Sequence, residues 1–196
     1  GYICPAPCER SCRRKDIDET VSICAIKRYV AEADLKNEKP YLPKKKSPNG
    51  KHAAIIGSGP MGLTAAYYLS LEGFDCTVYD ENELPGGKIR TEISEDKLPK
   101  EVLDAEINII KQSGINFIMN KKITVEEIKD EISEKHDLIV IAGGFECDIE
   151  TDDLIKIETP FIKDINVFRY NDTSIIYPHI PVKKSLMSIR SVRTGL

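Results

Sequence analysis

Ala53-Ala54-Ile55-Ile56-Gly57-Ser58-Gly59-Pro60-Met61-Gly62-Leu63-Thr64-Ala65-Ala66 joins a short apolar run to a glycine-rich turn, and the turn opens a helical pattern. Strand, G-x-G-x-x-G, helix is the phosphate-binding fingerprint of a dinucleotide site. Gly57 permits the tight turn out of the strand. Gly59 has no side chain, so a pyrophosphate can approach the backbone, and Gly62 lets the helix pack closely on the strand. Pro60 suits the first helical position, where its missing N–H is not needed. The free N–H groups and the positive end of the helix dipole then face the anion. Gly57, Ser58, Gly59, Pro60, Met61 and Gly62 are therefore the candidate pyrophosphate contacts.

Downstream, Leu63, Ala65, Ala66, Leu69 and Leu71 continue one helix face as far as Gly73, where a C-cap belongs. The strand Cys76-Thr77-Val78-Tyr79 follows, with Cys76 as a core thiol, and it ends in Asp80. Asp80 lies 23 residues after Gly57, where an acid can accept hydrogen bonds from ribose hydroxyls. Glu81 is placed to share that role; the alternative for Asp80 is a plain strand-end carboxylate. Pro85-Gly86-Gly87-Lys88-Ile89-Arg90 then adds a second glycine pair just past the acid. A plain NAD domain does not need it. Flavoproteins of the two-dinucleotide type use such a pair to bring the chain close to the pyrophosphate and the isoalloxazine, which moves the reading from NAD to FAD.

Upstream, Cys4-Pro5-Ala6-Pro7-Cys8-Glu9-Arg10-Ser11-Cys12 sets three cysteines at C-x3-C-x3-C, and Cys24 follows. Thiolates at this spacing among prolines suit an iron–sulfur cluster. Structural zinc more often takes paired C-x2-C, and free cysteines in a loop are the plain alternative. Arg10, Arg13, Arg14 and Lys15 either offset the thiolate charge or form a solvated face. Asp18 or Thr20 can cap a helix over 21–34, whose apolar side includes Cys24 as a packed thiol or a ligand. Residues 37–50, rich in proline and carrying Lys44-Lys45-Lys46, read as a solvated linker.

Taken together, these residues resemble the FAD-binding part of the glutamate synthase small-subunit family, which includes the electron-transfer half of dihydropyrimidine dehydrogenase. The matching residues are Cys4 through Glu9 with Cys12, Gly57 through Ala66, Val78-Tyr79-Asp80, Gly86-Gly87-Lys88-Ile89-Arg90 and Lys97-Leu98-Pro99-Lys100-Glu101-Val102-Leu103. The resemblance implies an α/β chain: a Rossmann-like FAD-binding domain with a parallel sheet in three layers, preceded by a small helical iron–sulfur segment. It implies bounds of 1–38 for that segment, 39–51 for a linker and 52–196 for the FAD domain. It implies two [4Fe-4S] clusters in the family's cysteine segment, with Cys4, Cys8 and Cys12 matching the later ligands. The earlier ligands would lie upstream of Gly1, so the chain reads as a fragment that cannot complete both clusters alone.

In the second half, a helix is expected from Leu98 to Gly114, a strand over 115–119, a helix over 125–132 capped by Thr124, and a buried strand over 138–142. By the resemblance, Ile123 backs the adenine, and Ala142-Gly143-Gly144 passes the flavin with Gly143 in place of a threonine. Residues 145–164 read as a short acidic connection, where a full member of the family inserts an NADPH-binding domain. One glycine, Gly195, follows Gly144, so no second phosphate loop can be written. Residues 165–172 resemble the family's final strand, with Asp172 either near the ribityl chain or a solvent-facing loop acid. Residues 183–192 would start the closing helix.

A net charge of −4 and the absence of Trp exclude a nucleic-acid surface. No apolar run is long enough for a membrane span or signal peptide, and six cysteines without a leader suggest the cytoplasm. His52, His136 and His179 are scattered, and no catalytic triad or metal-spaced histidine set can be written. The expected function is a flavin and iron–sulfur electron-transfer module of an oxidoreductase. Its partner is another subunit or domain, with NAD(P)H reaching it through another chain. A cofactor-free interaction domain with the same fold is the alternative, and a simple NAD-dependent dehydrogenase is a third reading.

Overall fold

The computed structural model describes residues 1–143, 155–157 and 166–177. The N-terminal segment holds α1 (Pro7–Arg10), a 3-10 turn (Arg13–Asp16) and α2 (Ile23–Leu35). The α/β part then runs β1 (His52–Ile56), α3 (Pro60–Leu71), β2 (Asp75–Tyr79), α4 (Lys88–Glu92), α5 (Lys100–Gln112) and β3 (Asn116–Ile118). A helical stretch follows as α6 (Val125–Glu127), a π turn (Ile128–Ile132) and α7 (Ser133–Lys135). The strands β4 (Leu138–Ile141), β5 (Ile155–Ile157), β6 (Asn166–Tyr170) and β7 (Thr173–Tyr177) complete the described chain.

The sheet order is β3-β2-β1-β4-β7-β6-β5. The first five of these strands run parallel, and β6 and β5 are antiparallel additions at one edge. Alternation along β1 divides the core between the two faces. Ala53 and Ile55 pack with Ala65 and Ala66 of α3 and with Ile110 of α5. Ala54 and Ile56 pack with Ile128 and Ile132 of the π turn. This is the three-layer Rossmann-like arrangement expected from the strand–turn–helix pattern. The reversal of connection on either side of β1 leaves a crevice at the carboxyl ends of β1 and β4, where ligands of such sheets bind.

Local signals explain several boundaries. Gly73 takes φ +90°, and a Cβ there would meet the Ser47 carbonyl oxygen at 2.3 Å, so α3 ends where a side chain cannot pass. Thr124 caps α6: its Oγ1 accepts from the Glu127 N–H at 3.2 Å, and Glu127 accepts from the Thr124 N–H at 2.9 Å. Thr124→Ala is expected to lower the urea midpoint by an amount worth about 1 kcal/mol, the usual cost of a lost N-cap.

Three expectations are corrected. First, residues 37–50 are largely exposed as expected, but they are pinned to the α/β part rather than free of it. The Lys46 N–H donates to Leu71 O, Lys46 Nζ pairs with Glu72, and Lys45 Nζ donates to Ser113 O at 2.5 Å. The Lys45 ammonium thus meets a carbonyl at the C-terminal end of α5, where the helix dipole favours a cation, while Lys46 is tied to the end of α3 through its backbone N–H and the Glu72 carboxylate. Second, α2 is capped by neither Asp18 nor Thr20. Asp18 pairs with Arg14, and the Glu9 carboxylate reaches from α1 to accept the Cys24 N–H at 2.7 Å. Third, the stretch 145–164 contains a strand, β5, which pairs with β6. Gly144 and residues 183–192 lie outside the described residues.

Candidate dinucleotide and thiol sites

The turn after β1 is held from three sides. The Gly57 N–H donates to Tyr79 O at 2.7 Å, tying the turn to the end of β2. Gly57 takes φ +107°, and a Cβ on it would sit 2.5 Å from Ala142 O, so β4 closes directly on the turn. Gly62 begins α3 so near β1 that a Cβ would lie 1.9 Å from Gly57 O. Gly59 differs: its φ and ψ of −69° and −178° suit any residue, and nothing stands within 4 Å of where its Cβ would be. The open space at Gly59 lies at the N-terminus of α3, as a pyrophosphate cradle requires.

The second glycine pair packs onto the first. The Gly86 N–H donates to Ser58 O at 2.9 Å, and a Cβ on Gly87 would come within 2.9 Å of Gly59 Cα. Two backbone stretches therefore approach with no side chain between them. This cradle, which side chains would fill, fits a dinucleotide.

Asp80 is 8% exposed and fully engaged. Its Oδ2 accepts from the Ser58 N–H and the Ser58 hydroxyl, both at 2.6 Å. Its Oδ1 accepts from the backbone N–H and side-chain amide of Asn82, both at 2.8 Å. Burial pushes this carboxyl up, but the bonds from Ser58 and Asn82 outweigh it and hold the group below its ordinary value. Asp80 therefore shapes the turn from within, and a ribose would have to compete for it. Glu81 is exposed and pairs with Lys122 at 3.8 Å. Sequence reasoning named Ser58 as a pyrophosphate contact but missed the bond from its hydroxyl to Asp80, and it missed Asn82. An Asn two residues after an Asp at a strand end is a turn signal that points to the second of these.

Other named residues take different places. Arg90 is committed to the fold: Nε donates to Pro85 O at 2.7 Å, and the guanidinium pairs with Asp104 of α5. Lys88 pairs with Glu92 at 3.7 Å. Ile123 packs against the core around Ile128, close to the 120–121 backbone that bonds to Asp80 and Asn82. Ala142 lies beside Gly57, with Gly143 following it at the carboxyl end of β4. Asp172 is the clear correction. Residues 171–172 form the two-residue turn between antiparallel β6 and β7, with Asn171 at φ +52°. The strand that joins β4 in parallel is β7, and Ser174 pairs with Leu138 at the start of β4. Asp172 thus sits at the amino end of the sheet, about 20 Å below the glycine turn at the usual rise per strand residue, and cannot reach a dinucleotide there.

In the cysteine segment, Cys4 and Cys8 are exposed, while Cys12 and Cys24 are half-buried. The Cys12 thiol faces the N–H groups of Val21, Arg14 and Lys15, which with the Arg14 charge hold its pKa below the ordinary value. Burial raises the Cys24 thiol, reinforced by a hydrogen bond with the Cys4 thiol. Cys76 is a core thiol, as expected, pushed up to about 12 by burial. Among the described residues, no group of three or more His, Cys, Asp or Glu side chains stands ready to hold a metal ion. The thiol chemistry suits iron–sulfur ligation, but Cys4, Cys8 and Cys12 do not converge as a set.

A family model described as an NAD(P)-binding Rossmann-like domain matches residues 55–120. Over 149 residues, 74% of this chain, the sequence is 38% identical to NADPH-Fe(3+) oxidoreductase subunit beta of Geobacter sulfurreducens, of which it covers 22%. Over 146 residues, also 74% of this chain, it is 37% identical to the glutamate synthase [NADPH] small chain of Bacillus subtilis, covering 29% of that protein. The chain is similar to the glutamate synthase small chain and related oxidoreductase subunits over 74% of its length. A third relative, the NAD-dependent dihydropyrimidine dehydrogenase subunit PreT of Salmonella typhimurium, is 32% identical over 148 residues, 74% of this chain and 35% of that protein. These relatives are oxidoreductase subunits, and the chain spans 22–35% of their length. Among the described residues, no helix is long and apolar enough to cross a membrane.

Proposed function

We propose that this chain is the FAD-binding part of an electron-transfer oxidoreductase subunit, with an iron–sulfur segment at 1–38, a strap at 39–51 and the flavin domain from 52 onward. The observation that carries the reading is the backbone-on-backbone approach of Gly59 and Gly87 at the N-terminus of α3. Bound flavin and iron–sulfur groups would supply the redox chemistry, accepting and passing on electrons. The chain's own residues bind and orient. The N–H groups of the turn at 57–62 face the pyrophosphate, Asp80 and Asn82 hold that turn in shape, and Ala142 and Gly143 border the site. Cys4, Cys8 and Cys12 offer thiolates to iron–sulfur groups. The electron partner is another domain or subunit, and NAD(P)H reaches the module through it, a reading supported by the similarity to subunits of NADPH-Fe(3+) oxidoreductase and NADPH glutamate synthase. The site of action is the cytoplasm.

One observation favours a second reading, a cofactor-free interaction domain: the Asp80 carboxylate is already saturated by protein donors. Parallel anaerobic titrations with FAD and with NADH separate the possibilities. Binding of FAD in clear preference to NADH is expected. A well-folded protein that takes up neither would establish the interaction domain, and preference for NADH would return the site to a nicotinamide dehydrogenase.

A further inference from the structure

Gly86 and Gly87 take φ +126° and +51°, conformations that glycine adopts freely but does not hold by itself. Their own helix cannot fix them. α4 is five residues long with no buried residue, and its Lys88–Glu92 pair is exposed. Arg90 is different. Its side chain is only 12% exposed and bonds back to the loop that precedes it. Nε donates to Pro85 O at 2.7 Å, the backbone N–H donates to Gly87 O at 2.9 Å, and the guanidinium pairs with Asp104 of α5. A Cβ on Gly86 would meet Arg90 Cβ at 3.3 Å, and both Arg90 Nε and Leu103 Cδ2 at 3.4 Å. The glycine pair is therefore layered, with Arg90 and Leu103 behind it and Ser58 and Gly59 of the first turn in front. Asp104 ties the guanidinium to a helix of 13 residues, and the guanidinium ties down the loop.

We propose that Arg90, locked by Asp104, is the positioning residue of the dinucleotide site: it holds Gly86-Gly87 onto Gly59, sets the width of the cradle before a ligand arrives, and touches no ligand itself. The proposal rests on the flavin reading above. A guanidinium suits the task, because its planar fork serves a carbonyl and a carboxylate at once in fixed directions, which a lysine ammonium does not. Without the clamp, the loop orders only as the ligand binds, and the cost of that ordering is subtracted from the affinity.

The test compares Arg90→Met, Arg90→Lys, Asp104→Asn and, as a control on the exposed pair, Glu92→Gln, all in the full chain, by FAD titration, urea midpoint and amide hydrogen exchange. Arg90→Met is expected to weaken FAD binding at least about tenfold, the worth of one bond from a charged donor. Asp104→Asn should weaken it about two- to fivefold, the range of a half-exposed ion pair, and Glu92→Gln should leave it unchanged. Arg90→Lys should rescue only part of the loss. In the ligand-free protein, exchange at the Gly86 and Thr91 amides should quicken in Arg90→Met and Asp104→Asn, with β1 unchanged, and FAD should restore the protection. A merely structural role would lower the urea midpoint and quicken exchange in β1 as well, while the folded protein bound FAD as before. That result would overturn the proposal. If Arg90→Met does not fold, Asp104→Asn decides: unchanged affinity and unchanged exchange at Gly86 would sink the clamp. An unmodified protein that takes up no FAD would sink the flavin reading instead, and the exchange comparison would still show whether Arg90 holds the glycine pair.

Discussion

Gly62→Ala is expected to destabilise the fold, whereas Gly59→Ala is expected to leave stability unchanged and weaken dinucleotide binding. The two positions belong to one motif but make opposite demands. On helix propensity alone, alanine at Gly62 in α3 should gain about 0.5–1 kcal/mol. Packing reverses the sign. The new Cβ would lie 1.9 Å from Gly57 O and 3.2 Å from Ile55 Cγ2, against backbone and a core side chain that cannot step aside. The start of α3 would have to lift from β1, and overpacking of this kind costs about 1–3 kcal/mol, a large share of a domain's total. At Gly59 the backbone already has ordinary angles and the Cβ direction is empty. Its methyl would strain nothing in the protein and would fill the space open to the pyrophosphate, so FAD affinity should fall at least about tenfold, equal to 1.4 kcal/mol. Urea midpoints by circular dichroism and FAD titration check both halves. Unchanged FAD affinity in Gly59→Ala would sink the dinucleotide reading; undiminished stability in Gly62→Ala would show that α3 does not rest on β1 through that contact.

The contrast between these glycines also marks what a sequence can show. Strand, turn and helix at 52–71 are local, and the spacing of Gly57, Gly59 and Gly62 carries their geometry with it. The crevice at the carboxyl ends of β1 and β4 follows from the same pattern. What stayed hidden depends on pairing across long stretches of chain. Asp172 looked like a strand-end acid because residues 165–172 form a plausible strand. Its true place was set by which strand joins β4, and that is β7. Lys45 looked solvated because its partner, the Ser113 carbonyl, lies 68 residues away. Cys24 looked like part of a helix face, and only the Glu9 bond between α1 and α2 shows which thiol it meets. Asn171 is the exception: asparagine tolerates positive φ by residue type alone, and the structure gives it φ +52°.

Asp80→Asn should cost at least about 1.5–3 kcal/mol, the range for a single hydrogen bond to a charged group, because four donors converge on this buried carboxylate. An amide has one oxygen for them, and its NH2 would face N–H and O–H groups that also donate. The pH dependence has a definite sign. The folded protein holds the Asp80 carboxyl below its ordinary value of 3.8, so its contribution is complete above that value and is lost as pH falls through the lower, folded one. The stability gap between the unmodified protein and Asp80→Asn should therefore be constant at neutral pH and narrow below about pH 4. A gap that stays constant through acid would mean that the four bonds do not depend on the charge. The same variant, compared with Asn82→Ala, decides what the acid does for a ligand. Asn82→Ala loosens the turn and leaves the carboxylate in place. If both weaken FAD binding equally, Asp80 acts through the shape of the turn at 57–62. If Asp80→Asn alone weakens it, the carboxylate leaves Ser58 or Asn82 to meet the ribose, as its position after β2 first suggested.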